Sequence, residues 1–458
     1  MTSGFYYEVI DLSRIHWKPI KLSPQQTLAL GFAVIIILGS FLLWMPAASV
    51  EGSSLSYIDA LFMATSATCV TGLILVDTAT HFTHFGQIVL LVMVQLGGLG
   101  FMTMTTWFAI VVRKRISLRE RLVLKESLNQ ISIEGIVRLI KNVVVYSLVV
   151  ESIAACIFAI RWSFEMPLGK AIYYGVFHAV SLFNNAGFEL VGGYRNLTPY
   201  VDDFVINAVS MILVILGGIG FIVMSELIDY PKTRQLSLHS KIVLSVSGFL
   251  VVFGALVIFI FEFSNTHTLG PLPLFDKILA AFFQSVSTRS SGTNTVDITS
   301  LRQATQFFMI LLMFIGAAPG STGGGIKVTT FAILIGAMIT MIRRKEDVVL
   351  FRYRLAQEYT HRALTVTFLS LLLIFIVTML LLATHDYSFL MILFETTSAF
   401  GTVGLSMGLT PHLTFTGKIV IILMMYAGRL GPVTLSYALQ PKNKKELYHY
   451  PEGKITIG

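Results

Sequence analysis

Gly72, Gly187, Gly292 and Gly404 lie 115, 105 and 112 residues apart by subtraction, each inside a short stretch of small and β-branched residues: TCVTGL (68–73), FNNAGF (183–188), TRSSGT (288–293) and FGTVGL (400–405). A cation that sheds its water needs oxygen ligands, and backbone carbonyls supply a ring of them without fixed charge. Successive carbonyls face one axis only if some residue takes unusual dihedrals, which glycine does without strain. The expected ligands are therefore main-chain atoms of Thr68, Cys69, Val70, Thr71 and Gly72, and of Asn184, Asn185, Ala186 and Gly187. Thr288, Arg289, Ser290, Ser291 and Gly292 form the third group, and Phe400, Gly401, Thr402, Val403 and Gly404 the fourth. A cation held by such carbonyls is the only metal the pattern implies.

A second stretch, FIGAAPGSTGGGIKV (314–328), has the glycines and lysine of a phosphate loop. A phosphate loop needs Lys directly after the last Gly and a strand before it. Here Ile326 separates Gly325 from Lys327, and the preceding FFMILLM is no strand pattern, so the nucleotide reading fails. Pro319 removes a backbone donor, and Gly316, Gly320, Gly323, Gly324 and Gly325, with Ser321 and Thr322, weaken a helix. A span should break there into two half-helices, and irregular backbone at membrane depth is tolerated only where it lines a cavity or is buried in protein. Gly316, Ala317, Ala318, Pro319, Gly320, Ser321, Thr322, Gly323, Gly324, Gly325 and Lys327 are thus expected to form a flexible gate beneath the glycine segments. Lys327 would mark the cytoplasmic end of that loop.

These elements need a membrane to position them. The chain has 458 residues, 55% hydrophobic and 13% charged, with a mean hydropathy of +0.76. Soluble domains carry about 25% charged residues. Windows such as TLALGFAVIIILGSFLLWMPAA and ALTVTFLSLLLIFIVTMLLLAT are long enough to cross a bilayer core. The net charge of +8 would suit nucleic acid, but basic loops between spans account for it. Two cysteines exclude a disulfide framework. The first residues lack the apolar core and cleavage site of a signal peptide.

Basic clusters at 18–21, 113–125, 232–241, 343–354 and 441–450 place those loops and both termini in the cytoplasm. Between clusters the chain crosses, makes a shorter apolar excursion and crosses back. The excursions lie near Tyr57–Gly72, Ala171–Gly187, Lys277–Gly292 and Tyr387–Gly404, with helical parts of about 10–12 residues, too short to span. The expected fold is an all-α polytopic membrane protein of four span–pore helix–span repeats, with eight transmembrane helices and four re-entrant pore helices around a pseudo-fourfold pore. The repeats run over 25–116, 137–229, 240–343 (with the loop 316–327) and 360–440, between a cytoplasmic segment 1–24 and a tail 441–458.

An internal register supports the repeats. Phe62, Phe177, Phe282 and Phe394 stand ten residues before the glycines, and Ser66, Ser181, Val286 and Ser398 six before. The clusters GGLG (97–100), GGIG (217–220), GAAPG (316–320) and GRLG (428–431) begin 25, 30, 24 and 24 residues after them. The phenylalanines read as core wedges, and the first two clusters as sites of close helix packing or a kink. Charges within spans are costly and informative. Arg429 is expected to face the pore or gate, Glu395 to accept hydrogen bonds behind the filter, and Arg289 to point away from the axis. Glu151 faces either a helix neighbour or a subunit interface. His178 reads as a packing residue. No metalloprotease-like pair or nucleophile–base arrangement occurs within the spans, so no enzyme is expected.

The filter motifs, the loop GAAPGSTGGGIK and AGRLGPVT together resemble the Trk/Ktr/HKT superfamily of potassium transporters, most of all its bacterial KtrB-type membrane subunits, from about Leu22 to Gly458. The resemblance implies potassium selectivity at the four glycines, some relatives with serine at the first position preferring sodium. It implies a gating loop at Gly316–Lys327 with Arg429 beside it as part of the barrier. It also implies a homodimer with the tail near the contact, a bacterial cell membrane location, and control by a cytosolic ring of KtrA-like, nucleotide-binding RCK subunits. No cofactor is expected. Potassium uptake activated by or coupled to sodium falls within this reading, and a sodium-permeable or sodium-coupled transporter of the same superfamily is the alternative.

Overall fold

The structure, a computed structural model, describes residues 22–50, 55–112, 116–127, 135–432 and Thr434. The basic cluster 18–21 and the tail 441–458, with its expected dimer contact, lie outside the described residues. The chain begins with α1 (Pro24–Trp44), α2 (Tyr57–Thr68), the single turn α3 (Thr78–His81), and the pair α4 (His84–Gly98) and α5 (Phe101–Val111). There follow α6 (Leu118–Ser127), α7 (Ile136–Trp162), α8 (Leu168–Phe183), α9 (Phe204–Gly218) and α10 (Phe221–Thr233). Next come α11 (Leu238–Glu262), α12 (Leu274–Thr288), α13 (Gln303–Phe314) and α14 (Val328–Ile342). The chain ends with α15 (Gln357–Thr384), α16 (Phe389–Gly401) and α17 (Phe415–Leu430).

Local chemistry sets these boundaries. Pro24 opens α1 behind a capping box in which Ser23 and Gln26 satisfy each other's backbone N–H groups. Thr83, Asp203, Ser237, Ser388 and Thr414 cap α4, α9, α11, α16 and α17 with side-chain oxygens. Among the described residues, α1, α7, α11 and α15 are long and apolar enough to cross a membrane, and the bent pairs α4–α5 and α9–α10 raise the number to six. The pairs bend by 93° and 104°, where Gly100 and Gly220 take φ +82° and +89°. The expected kink is there, and only a residue without Cβ turns the chain so sharply at little cost. Residues such as Leu38, Phe253 and Phe368 stand exposed on the outer faces of α1, α11 and α15, as lipid-facing residues do.

Three expectations need correction. The short helices hold 12, 16, 15 and 13 residues, so α8, α12 and, by one residue, α16 exceed the 10–12 expected. The fold is not wholly helical: the basic stretch after α14 folds into a hairpin, β1 (Val349–Leu350) pairing antiparallel with β2 (Tyr353–Arg354). Its turn places Phe351 and Arg352 at φ +48° and +68°. The third correction concerns the register of α12 and belongs to the site.

Candidate functional site: a ring of four glycine segments

Each short helix points its C-terminus at one of the four glycines, and the glycines meet. A β-carbon on Gly72 would lie 2.4 Å from the carbonyl oxygen of Ala186, and one on Gly187 2.5 Å from that of Ser291. On Gly292 it would lie 2.1 Å from the oxygen of Val403, and on Gly404 2.1 Å from that of Thr71. Each oxygen belongs to the residue just before the next glycine, and the fourth contact returns to the first segment. The four segments form a closed ring in chain order. All four glycines have positive φ, from +70° to +91°.

Three of the four helix ends share one geometry. Val70, Asn185 and Thr402 take left-handed φ of 57°, 58° and 49°. The N–H of Thr71, Ala186 and Val403 then bonds the carbonyl of Ser66, Ser181 and Ser398 at 2.8, 2.8 and 2.9 Å, the long-range bond of a Schellman cap. The third end lacks the extra residue: Ser291 N–H bonds Ser287 O at 2.9 Å across four residues, and none of residues 288–291 has positive φ. The inward face of α12 is therefore shifted by one. Phe283, 2% exposed, sits where Phe62, Phe177 and Phe394 sit, whereas Phe282 is 37% exposed. Ser287, not Val286, is the counterpart of Ser66, Ser181 and Ser398. The serine hydroxyls bind the segments: Ser66 and Ser398 accept from Gly72 and Gly404 N–H at 3.1 Å each, while Ser181 and Ser287 donate to Phe188 O and Thr293 O.

The glycine clusters of α4, α9 and α17 pack against these helix ends. β-Carbons on Gly97, Gly217 and Gly428 would strike the carbonyls of Thr68, Phe183 and Phe400 at 1.9, 1.9 and 2.0 Å. In the third repeat the cluster opens into an irregular loop between α13 and α14, as Pro319 and the glycines led one to expect. The loop is not slack. Gly316 N–H bonds Ile326 O at 2.9 Å, Ala318 N–H bonds Gly218 O at 3.0 Å, and Thr322 N–H bonds Gly217 O at 3.2 Å. Gly320 O accepts from Phe221 N–H at 2.9 Å, and Gly324 N–H reaches Thr402 Oγ1, in the fourth segment, at 2.9 Å. Its glycines serve close approach: a β-carbon on Gly316 would lie 2.0 Å from Gly324 O. Ser321 Oγ closes a turn on Ala318 O at 2.6 Å. Lys327 stands at the N-terminal boundary of α14 and donates Nζ to Gly323 O at 2.6 Å.

Arg429 ties the loop to the first repeat. Its guanidinium donates to Thr322 O and to Gly97 O, and to Gly98 O at 3.1 Å, with the Phe32 ring 5.9 Å away. Arg289 points behind the ring, toward Ser247 on α11 and Gly316 O of the loop, each at 3.4 Å. Glu151 faces helix neighbours: it accepts from Gln95 Nε2 at 3.1 and 3.2 Å and from Asn184 Nδ2 at 3.3 Å. The Asn184 side chain is thus drawn away from the ring, also donating to Gln95 Oε1 at 2.6 Å. With its amide turned to satisfy both ends, Asn185 accepts from Ser290 Oγ at 3.2 Å and Thr322 Oγ1 at 3.0 Å. Glu395 is buried and accepts from Ser406 and Thr410 hydroxyls, and His178 packs as expected. Gln95, Phe32, Phe283 and Ser287 escaped the sequence reading; only the tandem phenylalanines of AAFFQS hinted at the shift.

On the loop that follows the third segment, Asp297 is pulled two ways. Burial pushes its carboxyl up, and hydrogen bonds from Ser300 and Thr299 outweigh that and hold it below the usual carboxylate range.

The TrkH family model, described as cation transport protein, matches residues 16–447. The chain belongs to the TrkH family of cation transport proteins. It is a membrane protein and not an enzyme. It is 43% identical to Ktr system potassium uptake protein B of Bacillus subtilis over 97% of this chain and 98% of that one. It is 39% identical to potassium/sodium uptake protein NtpJ of Enterococcus hirae over 96% and 98%. Among solved structures it resembles the potassium transporter TrkH from Vibrio parahaemolyticus, with a TM-score of 0.74 at 18% identity, covering 93% of this chain and 86% of that one. That likeness carries the fold.

Proposed function

We propose that this chain is the ion-translocating subunit of a potassium uptake system, with the glycine ring as its selectivity filter. The observation that carries the reading is the cyclic contact of each glycine with the carbonyl before the next. Four carbonyl-bearing segments ordered this way around one axis provide oxygens to replace a hydration shell. The short helices aim their partially negative ends at the same place, which favours a cation. On this reading α2, α8, α12 and α16 are pore helices. The spans are α1, α4–α5, α7, α9–α10, α11, α13–α14, α15 and α17, eight in all, with the termini and basic loops cytoplasmic. Both similar relatives are named for potassium uptake, which supports the choice of ion.

The loop 316–327 with Arg429 is the gate. It lies against the filter through Thr402 and against the broken helices of two other repeats through Gly217, Gly218 and Gly97. Control by a cytosolic RCK-type ring fits a chain that has no dinucleotide-binding motif and whose relative belongs to a Ktr system. A membrane potential contributes about 2.3 kcal/mol per charge per 100 mV, enough to drive uptake. The name of the Enterococcus relative favours one second reading, a sodium-permeable or sodium-coupled transporter. Flux into liposomes under potassium or sodium gradients separates them: potassium entry well above sodium entry is expected, and equal entry would favour the second reading. Gly404→Asp should abolish potassium uptake in cells lacking their own systems, and unchanged uptake would sink the filter.

A further inference from the structure

One residue beyond the four inward phenylalanines stand Met63, His178, Gln284 and Glu395, four different chemistries at one repeated place, all 1% exposed or less. Met63 Sδ accepts the N–H of Leu75 at 3.4 Å, and His178 Nε2 accepts the N–H of Leu190 at 3.3 Å. Glu395 accepts the N–H of Met407 as well as the hydroxyls of Ser406 and Thr410. Leu75, Leu190 and Met407 each stand three residues after a ring glycine. The third repeat keeps polar groups at both places, Gln284 and Thr295, yet both amide atoms of Gln284 and the Thr295 hydroxyl lack partners.

We propose that Met63, His178 and Glu395 are positioning residues that set cation discrimination by fixing the chain on the far side of each glycine. The proposal rests on the filter reading above. Ser66 and Ser398 hold Gly72 and Gly404 by their own N–H groups, so these two glycines are held from before and after. A carbonyl ring discriminates ions by the number and placement of its oxygens, and placement within a fraction of an ångström needs such support. His178 can do this only as the neutral tautomer with hydrogen on Nδ1, which it donates to Tyr174 O at 2.8 Å. The braces also differ in strength: carboxyl oxygen and imidazole nitrogen are good acceptors, and a thioether is weakest. The four segments are therefore unequally braced, and the third lacks this brace.

The test compares His178→Leu, His178→Gln and Met63→Leu in potassium-uptake-deficient cells, reading the KM and Vmax for potassium and inhibition by sodium. Leucine fills either place without an acceptor, whereas glutamine restores one. Both leucine variants should raise KM and lose potassium-over-sodium discrimination, by about fivefold in His178→Leu, the scale of one net hydrogen bond, and by less in Met63→Leu, with Vmax nearly unchanged. His178→Gln should stay close to wild type. Wild-type KM and discrimination in the leucine variants, or equal damage in His178→Gln, would overturn the proposal. If His178→Leu fails to reach the membrane, the volume-conserving Met63→Leu decides on the same readouts. Gly404→Ala, run in parallel, separates the two levels. Its retention of discrimination would sink the filter reading; its loss of discrimination beside unaffected leucine variants would sink the braces alone.

Discussion

An alanine at Gly404 would place its β-carbon 2.1 Å from the Thr71 carbonyl oxygen, 2.9 Å from the Gly72 Cα, and on a backbone of φ +91°. Ordinary contact begins at 3.4 Å, so the Thr71 carbonyl would have to withdraw by about 1.3 Å by difference. Alanine at Gly292 meets the Val403 oxygen and the Gly404 Cα at the same 2.1 and 2.9 Å. At Gly72 and Gly187 the overlaps are milder: 2.4 and 2.5 Å to one oxygen, with the next atoms at 3.3 and 3.5 Å. The left-handed backbone adds roughly 1–2 kcal/mol at every position. What distinguishes the four is how far a neighbouring segment's carbonyl must move, and on the proposed reading that carbonyl is a cation ligand. Gly292→Ala and Gly404→Ala should therefore lose potassium-over-sodium discrimination tenfold or more, a loss of about 1.4 kcal/mol. Gly72→Ala and Gly187→Ala should lose less. Uptake under sodium competition, normalised to protein in the membrane, measures the order. Reversal of that order, or wild-type discrimination in all four, would refute the argument from carbonyl displacement.

Two further outcomes rest on the same geometry. Arg429→Gln removes charge-assisted bonds to Thr322 O, Gly97 O and Gly98 O, each of about 1.5–3 kcal/mol, partly offset by the relieved burial of the charge. Resting leak in liposomes without a cytosolic partner should rise about tenfold, and an unchanged leak would remove Arg429 from the barrier. Glu262, fully buried, accepts from Asn265 Nδ2 at 2.6 Å, Thr268 Oγ1 at 2.7 Å, Arg302 N–H at 2.9 Å and Thr305 Oγ1. Glu262→Ala strands these donors, and should cost about 3 kcal/mol or more, seen as a lowered Tm in detergent; an unshifted Tm would show that water replaces the carboxylate.

The glycine segments and the broken span were legible in the sequence because both depend on local chemistry. Helix packing alone does not require four glycines at nearly one spacing behind short apolar stretches, and Pro319 among glycines cannot continue a helix. The register of α12 was hidden for an equally local reason. AAFFQS offers two adjacent phenylalanines, and counting back from Gly292 selects Phe282, because the count assumes a cap residue that only the other three segments have. Apart from Arg429, which the family resemblance placed beside it, the tethering of the loop was not legible. Its glycines suggested freedom, whereas they permit contacts with Gly217, Gly218, Thr402 and Arg429 of other repeats, and sequence separation hides such contacts.

Three departures from fourfold symmetry fall in the third repeat, and two of them meet at Arg289. In the other three repeats a glycine of the following span closes on the last carbonyl of the short helix, at Thr68, Phe183 and Phe400. In the third, the short helix ends without the extra left-handed residue, the span opens into the loop, and the Arg289 guanidinium lies between Ser247 and Gly316 O, near the start of the loop beyond α13. A loop that moved would have to change the Gly316 contact, and Arg289 belongs to the ring segment itself. The third repeat is also the one whose brace is unpartnered at Gln284 and Thr295. The segment without this brace is thus the one attached to the proposed gate. On the proposed reading the filter is nearly fourfold whereas the gating loop comes from one repeat, so any coupling of opening to ion selectivity should show first at residues 288–293.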